Sequence, residues 1–193
     1  TINLKPDFIP SYSNIFFTLL YMKEDKHNFF ISLAKKFISS QKKIDKSLLT
    51  INRYEKKPKK LRVGFVSGNF YEHPVGYFLL DTIKNLKDKN LDLIAYSNFS
   101  KKDNLHIKLK SYFDNWNEIG DRNDVDAINQ IRKDGINILI DLDGHSAKNK
   151  LSIFINKAAP IQLSWGGYPG FLGMPEIDYV MGDPYVTPKM EEK

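Results

Sequence analysis

Apolar residues follow two different periods along the chain, and the change falls near residue 60. Before it the spacing is three and four. Ser13 is placed to cap a helix carrying Ile15, Phe16, Leu19 and Leu20, and a second stripe follows at Phe29, Phe30, Leu33, Ala34, Phe37 and Ile38. The two stripes predict a helical hairpin whose apolar faces must dock on something. Beyond residue 60 short continuous apolar runs alternate with helical stripes. Leu61–Ser67 is a strand of the kind buried on both faces, and Pro74 opens a helix with Leu79, Leu80, Ile83 and Leu86 on one side. Strands follow at 91–96, 136–142, 161–165 and 178–181, and helices at 104–113, 124–134 and 151–155. This alternation predicts a Rossmann-like α/β fold with a doubly wound parallel sheet over 61–193, preceded by a helical hairpin and basic linker over 1–60.

Composition narrows the function classes. The 193 residues include no cysteine, which removes disulfides, thiolate nucleophiles and Cys-based metal sites. No apolar run has the length of a membrane span and no secretory leader opens the sequence, so the expectation is a cytoplasmic protein without a membrane partner. The chain starts at Thr1, and Met190-Glu191-Glu192-Lys193 follow no closing element, so a longer natural chain is expected.

The net charge of +6 invites a nucleic-acid reading, but residues 1–60 carry +8 and residues 61–193 carry −2. The excess sits in a Lys-rich stretch, Lys42 to Lys60, that reads first as a solvated linker. With only four arginines and no recognition motif, nucleic acid is not the expected partner.

In open α/β sheets ligands bind beyond the carboxyl ends of the strands, and three such loops are unusual here. The first, Ser67 to Gly76, holds His73 directly before Pro74. That places the imidazole at the N-cap of a helix, whose positive end favours the neutral form and makes His73 a candidate general base. Helix capping alone is the structural alternative. The second, Asp141 to Ser146, carries Asp141, Asp143 and His145 at steps of two. A turn in which Asp143 bonds backbone and Gly144 takes positive φ is favoured over a metal cluster, because no further ligand stands at a recognised spacing. The third, Gly166-Gly-Tyr-Pro-Gly170, lets backbone approach a ligand, with Tyr168 supplying a ring and a hydroxyl; a plain turn fits equally. It is neither a dinucleotide fingerprint nor a P-loop.

In order, Ser13-Asn-Ile-Phe-Phe-Thr-Leu-Leu-Tyr21, Leu61-Arg-Val-Gly-Phe-Val-Ser67, His73-Pro-Val-Gly-Tyr-Phe-Leu79, Asp134-Gly-Ile-Asn-Ile-Leu-Ile-Asp141, Asp143-Gly-His-Ser146 and Ala159-Pro-Ile-Gln-Leu-Ser-Trp-Gly-Gly-Tyr-Pro-Gly170 resemble the amino-terminal half of the catalytic region of protein O-GlcNAc transferases and SPINDLY-type enzymes, glycosyltransferase family 41. The resemblance implies the first lobe of a metal-independent GT-B glycosyltransferase, with a nucleotide-sugar donor such as UDP-GlcNAc and a protein or peptide acceptor. It maps the family's active-site histidine onto His73. It also implies that Pro74, His145, Tyr168, Pro169 and Gly170 line the cleft between lobes, and that a tetratricopeptide array stands upstream. The donor-holding lobe has no counterpart in these residues, so the fragment alone is expected to be inactive. Two rivals keep the fold: a non-catalytic binding or scaffold module, and a relative using GDP-fucose.

Overall fold

The computed structural model describes residues 2–23 and 27–185. Thr1 and the Met190–Lys193 segment, where longer ends were expected, lie outside the described residues. Two helices come first, α1 (Ile9–Leu19) and α2 (His27–Ser40), then a single 3-10 turn at Lys46–Leu48. Six strands and four helices follow: β1 (Leu61–Ser67), α3 (Pro74–Leu86), β2 (Leu91–Ser97), α4 (Asn104–Tyr112), β3 (Asn115–Glu118), α5 (Asp124–Lys133), β4 (Ile138–Asp141), α6 (Leu151–Ile155), β5 (Ile161–Trp165) and β6 (Tyr179–Met181). The strands form one sheet in the order β3-β2-β1-β4-β5-β6, all parallel. The doubly wound fold is thus as expected.

Alternate side chains of the central strands feed two separate cores. Val63, Phe65, Leu93, Ala95 and Ile140 pack with Leu79 and Ile83 of α3 and Leu105 and Leu109 of α4 on one face. Val66, Ile94, Tyr96 and Leu139 pack on the other with Ile128 and Ile131 of α5 and Phe154 of α6. This two-sided burial is why the strands read as continuous apolar runs.

The hairpin is built into the second core. Tyr12 and Phe16 of α1 and Leu33, Ala34 and Phe37 of α2 are buried in the cluster that contains Ile136 and Leu139. Ser13 does not cap α1. The helix is capped five residues earlier, at Phe8, with Pro10 in its first turn, and Ser13 lies inside it, buried. The stripe is accordingly rotated: Tyr12, Ser13 and Phe16 are buried while Leu20 is half exposed. Strand β3 was not expected, because Asn-Trp-Asn-Glu has no apolar run; as an edge strand it needs pairing with β2 on one side only.

The chain turns in opposite directions from β1 and β4, so the crevice lies at their carboxyl ends. Two buried carboxylates pin it. Asp143 Oδ1 accepts from Ser67 Oγ (2.7 Å) and Asn69 Nδ2 (2.9 Å), and its Oδ2 accepts from the Gly68 N–H (2.7 Å). Asp141 accepts from the N–H groups of Asp143 and Gly144 and from Ser164 Oγ. Gly144 has φ +52°, as its turn requires, and a Cβ there would meet Tyr168 Cβ at 2.4 Å. Burial pushes Asp141 up to about 7, helped by the charge of Asp143. Burial likewise pushes Asp143 up to about 6 against the pull of its three donors.

Two outcomes follow from this packing. Phe16→Ala removes a ring stacked 4.4 Å from that of His145 and should cost about 3–5 kcal/mol, read from urea unfolding; a loss below about 1 kcal/mol would mean the hairpin is not docked. The Asp141 carboxyl binds its proton more tightly folded than unfolded. Its contribution to stability is therefore complete below the unfolded value of about 3.8 and lost as pH rises through about 7. Against Asp141→Asn, wild type should gain on going from pH 8 to pH 5, with a slope approaching about 1.4 kcal/mol per pH unit. A difference that does not vary with pH would contradict it.

Candidate active site

His73 stands where the sequence places it, as N-cap of α3 at the mouth of the crevice. Its backbone is extended (φ −146°, ψ 150°), as Pro74 demands, and its ring Nδ1 accepts the Val75 N–H at 3.3 Å. The ring is partly exposed and Nε2 has no hydrogen-bond partner among the described residues. Partial burial, with the nearby Lys148 cation adding, holds the imidazole below its ordinary pKa. At neutral pH His73 is therefore uncharged. Because Nδ1 is the acceptor in the cap, the neutral ring carries its proton on Nε2, leaving that N–H donor unpaired among the described residues.

The loops after β1, β2 and β4 meet beside this histidine. The Tyr71 ring lies 5.7 Å from the His73 ring and 5.9 Å from Phe99, which follows β2. Lys148, from the loop after β4, donates to Tyr71 Oη at 3.1 Å and holds its ammonium 3.5 Å from the Phe99 ring centroid. Its backbone is left-handed, φ 64°, a conformation that costs a side-chain-bearing residue roughly 1–2 kcal/mol. Asn98 Nδ2 fixes the Lys148 carbonyl at 2.7 Å, and Gly68 gives the lysine room, since a Cβ there would lie 2.7 Å from Lys148 Cβ. Sequence reading passed over Lys148 because a lysine in a polar loop carries no signal until its backbone angle and neighbours are known.

The remaining sequence candidates divide. Pro74 is exposed at the first position of α3, and Pro169 is exposed on the loop after β5. His145 is buried, with both nitrogens engaged: Nε2 donates to the Leu172 carbonyl at 2.9 Å, leaving Nδ1 to accept from Ser13 Oγ at 3.0 Å. Burial holds it neutral, at about 4. Tyr168 is buried too and donates to the Phe16 carbonyl at 3.3 Å; burial raises its phenol well above the ordinary value. Gly170 sits against that hydroxyl, where a Cβ would come within 2.7 Å. In this lobe His145, Tyr168 and Gly170 thus join the sheet to the hairpin, while His73 faces outward. Asp141 and Asp143 have protein donors on every carboxylate oxygen, and among the described residues no group of three or more His, Asp or Glu is placed to hold a metal ion. A groove of about 720 Å³ runs between α1 and the loop after β4, lined by Asn14, Phe17, Ser146, Lys148 and Asn149 among others.

Comparison with known proteins agrees with this architecture. The chain is 32% identical over 132 residues to a probable UDP-N-acetylglucosamine--peptide N-acetylglucosaminyltransferase SPINDLY of Oryza sativa subsp. japonica, covering 66% of this chain and 14% of that protein. It is 30% identical over 135 residues to the UDP-N-acetylglucosamine--peptide N-acetylglucosaminyltransferase of Caenorhabditis elegans, covering 67% of this chain and 11% of the relative. A solved structure of a Thermobaculum terrenum O-GlcNAc transferase mutant superposes with a TM-score of 0.82 at 29% identity, covering 94% of this chain and 35% of that one. The chain therefore spans a small part of the relatives it matches. The family model described as Glycosyl transferase family 41 matches residues 17–193, and the chain belongs to that family.

Proposed function

We propose that this chain is the first lobe of an inverting protein O-glycosyltransferase, which transfers N-acetylglucosamine from UDP-GlcNAc to Ser and Thr hydroxyls together with a second, donor-holding lobe. The observation that carries the reading is the neutral His73 at the switch-point crevice, with one nitrogen tied to the backbone and the other open. The donor is supported by the names of the relatives, and the metal-independent GT-B chemistry by the resemblance to the family.

In the reaction the acceptor oxygen attacks the anomeric carbon, the bond to the diphosphate breaks with its electron pair, and the hydroxyl proton passes to a base, which is the departing diphosphate where His73 only orients and His73 itself where it acts as base. The cap geometry makes two parts available to His73. With Nδ1 accepting from Val75, the Nε2–H donates to an oxygen and orients it. To act as base the ring must release that backbone bond and offer an unprotonated nitrogen. Orientation needs no such rearrangement, so it is the role assigned. A neutral imidazole serves it across the physiological range, since its pKa is held down.

The test uses the full-length protein that carries this lobe. His73→Ala should lower kcat by about a hundredfold or more, while its loss of a cap costs about 1 kcal/mol of stability. His73→Asn keeps an acceptor for the Val75 N–H and an N–H donor, so it should retain more activity than His73→Ala. Wild-type turnover in a folded His73→Ala protein refutes the assignment, and equal loss in the two variants favours the base over the orienting donor.

A further inference from the structure

We infer that Lys148 and Lys101, displayed on the rings of Tyr71 and Phe99 beside His73, form a subsite for an acidic side chain of the acceptor polypeptide. The inference rests on the glycosyltransferase reading of His73. Three observations carry it. First, both lysines converge on one ring: the ammonium groups lie 4.9 Å (Lys148) and 5.3 Å (Lys101) from the Tyr71 centroid. Second, Lys148 has no carboxylate within ion-pair distance among the described residues, and of its three donors one is used, on Tyr71 Oη. Lys101 has only Asp103 at 3.9 Å, a carboxylate already committed to the N–H groups of Glu72 and His106; Glu72 itself is exposed nearby. Third, Lys148 is held in a left-handed backbone by Asn98 and Gly68, so three loops cooperate to place a cation where an ordinary turn residue would suffice.

The chemistry favours a carboxylate on a peptide. Two ammonium groups held on one ring make the patch attractive to an anionic tip, with the aromatic surface covering the apolar stem behind it. Lysines also bind phosphates as point charges, but this cluster adds neither the arginine fork nor the convergent backbone N–H groups that grip a diphosphate, so the diphosphate is kept as an outcome of the test. Lys148 also lines the groove beside α1, so a polypeptide lying in that groove meets its stem.

The experiment compares, in the full-length protein, a Ser-containing peptide with flanking Glu residues and the same peptide with Gln. Wild type should favour the Glu peptide in kcat/KM by about tenfold, through KM, the effect of about one charge-assisted contact. In Lys148→Gly combined with Lys101→Met the ratio should fall to about one, whatever change in kcat the two peptides share. Glycine suits φ 64°, so Lys148→Gly should fold, and a thermal midpoint at or above that of wild type checks this. Lys148→Arg in place of Lys148→Gly should restore selectivity.

Absence of a Glu preference in wild type, or its survival in the double variant, overturns the proposal. Loss of inhibition by inorganic pyrophosphate in the double variant, equal for both peptides, would assign the cations to the donor diphosphate and also overturn it. If neither peptide is modified, the glycosyltransferase reading fails. The subsite is then judged by NMR on this chain, where the Glu peptide alone should shift the Tyr71 and Phe99 ring signals; no shift sinks the subsite as well.

Discussion

The crevice of this lobe depends on one buried carboxylate. Asp143 reaches from the loop after β4 to three donors on the loop after β1, at the point where the sheet reverses its winding. Neighbouring parallel strands hold each other along their length, but nothing in a ladder of backbone bonds fixes two loops that leave it in different directions. A side chain must do it, and here the side chain is an acid with almost no water around it. Its cost is visible in the raised pKa, and the three donors are what keep it ionisable near neutrality.

The second constraint is the docking of the hairpin. An isolated pair of helices with aromatic faces gains little by itself, so the stability of α1 and α2 comes from the sheet they cover. The contact is apolar around a polar centre. Asn149 donates to Ser13 Oγ, the serine donates to His145, and the histidine donates to the Leu172 carbonyl, in a chain with no loose end. Rings of Phe16, Phe37 and Tyr168 enclose the imidazole. A buried polar chain of this kind fixes register: sliding α1 by one residue would leave the imidazole Nδ1 without its Ser13 partner in an apolar surround.

Most of the fold was legible because the central strands are buried on both faces. Runs such as Val63 to Val66 and Ile138 to Ile140 allow little else, and Pro74 marks the start of the helix that follows. The placement of His73 at the N-cap of α3 was also legible, since the residue before a proline at a strand end has few conformations open to it. What was not legible depended on tertiary contact. Nothing in Ser13-Asn-Ile-Phe says that the serine is interior, because a hydroxyl one turn from a helix start looks like a cap whether or not a histidine 132 residues away receives its proton. For His145 the resemblance implied a place on the cleft, whereas in this lobe its nitrogens are spent on the hairpin and on the loop after β5. Strand β3 was hidden for a third reason: its order comes from β2, and not from its own side chains.

The two histidines show how one sheet end divides binding from building. Both imidazoles follow a strand, both are held neutral by burial, and both use one nitrogen on a neighbour close in space. The difference lies in the second nitrogen. For His145 it meets the Leu172 carbonyl, so both nitrogens are engaged within the protein even though the residue also lines the groove beside α1. For His73 it has no partner among the described residues, with the Lys148 cation near enough to lower its pKa and carried on loops that Asp143 and Asn98 hold in place. The braces that stiffen the crevice therefore set the local field of the outward-facing ring, while the Val75 N–H sets its tautomer. A lobe built this way holds its N–H donor preorganised, which is the condition that the orienting role proposed for His73 requires.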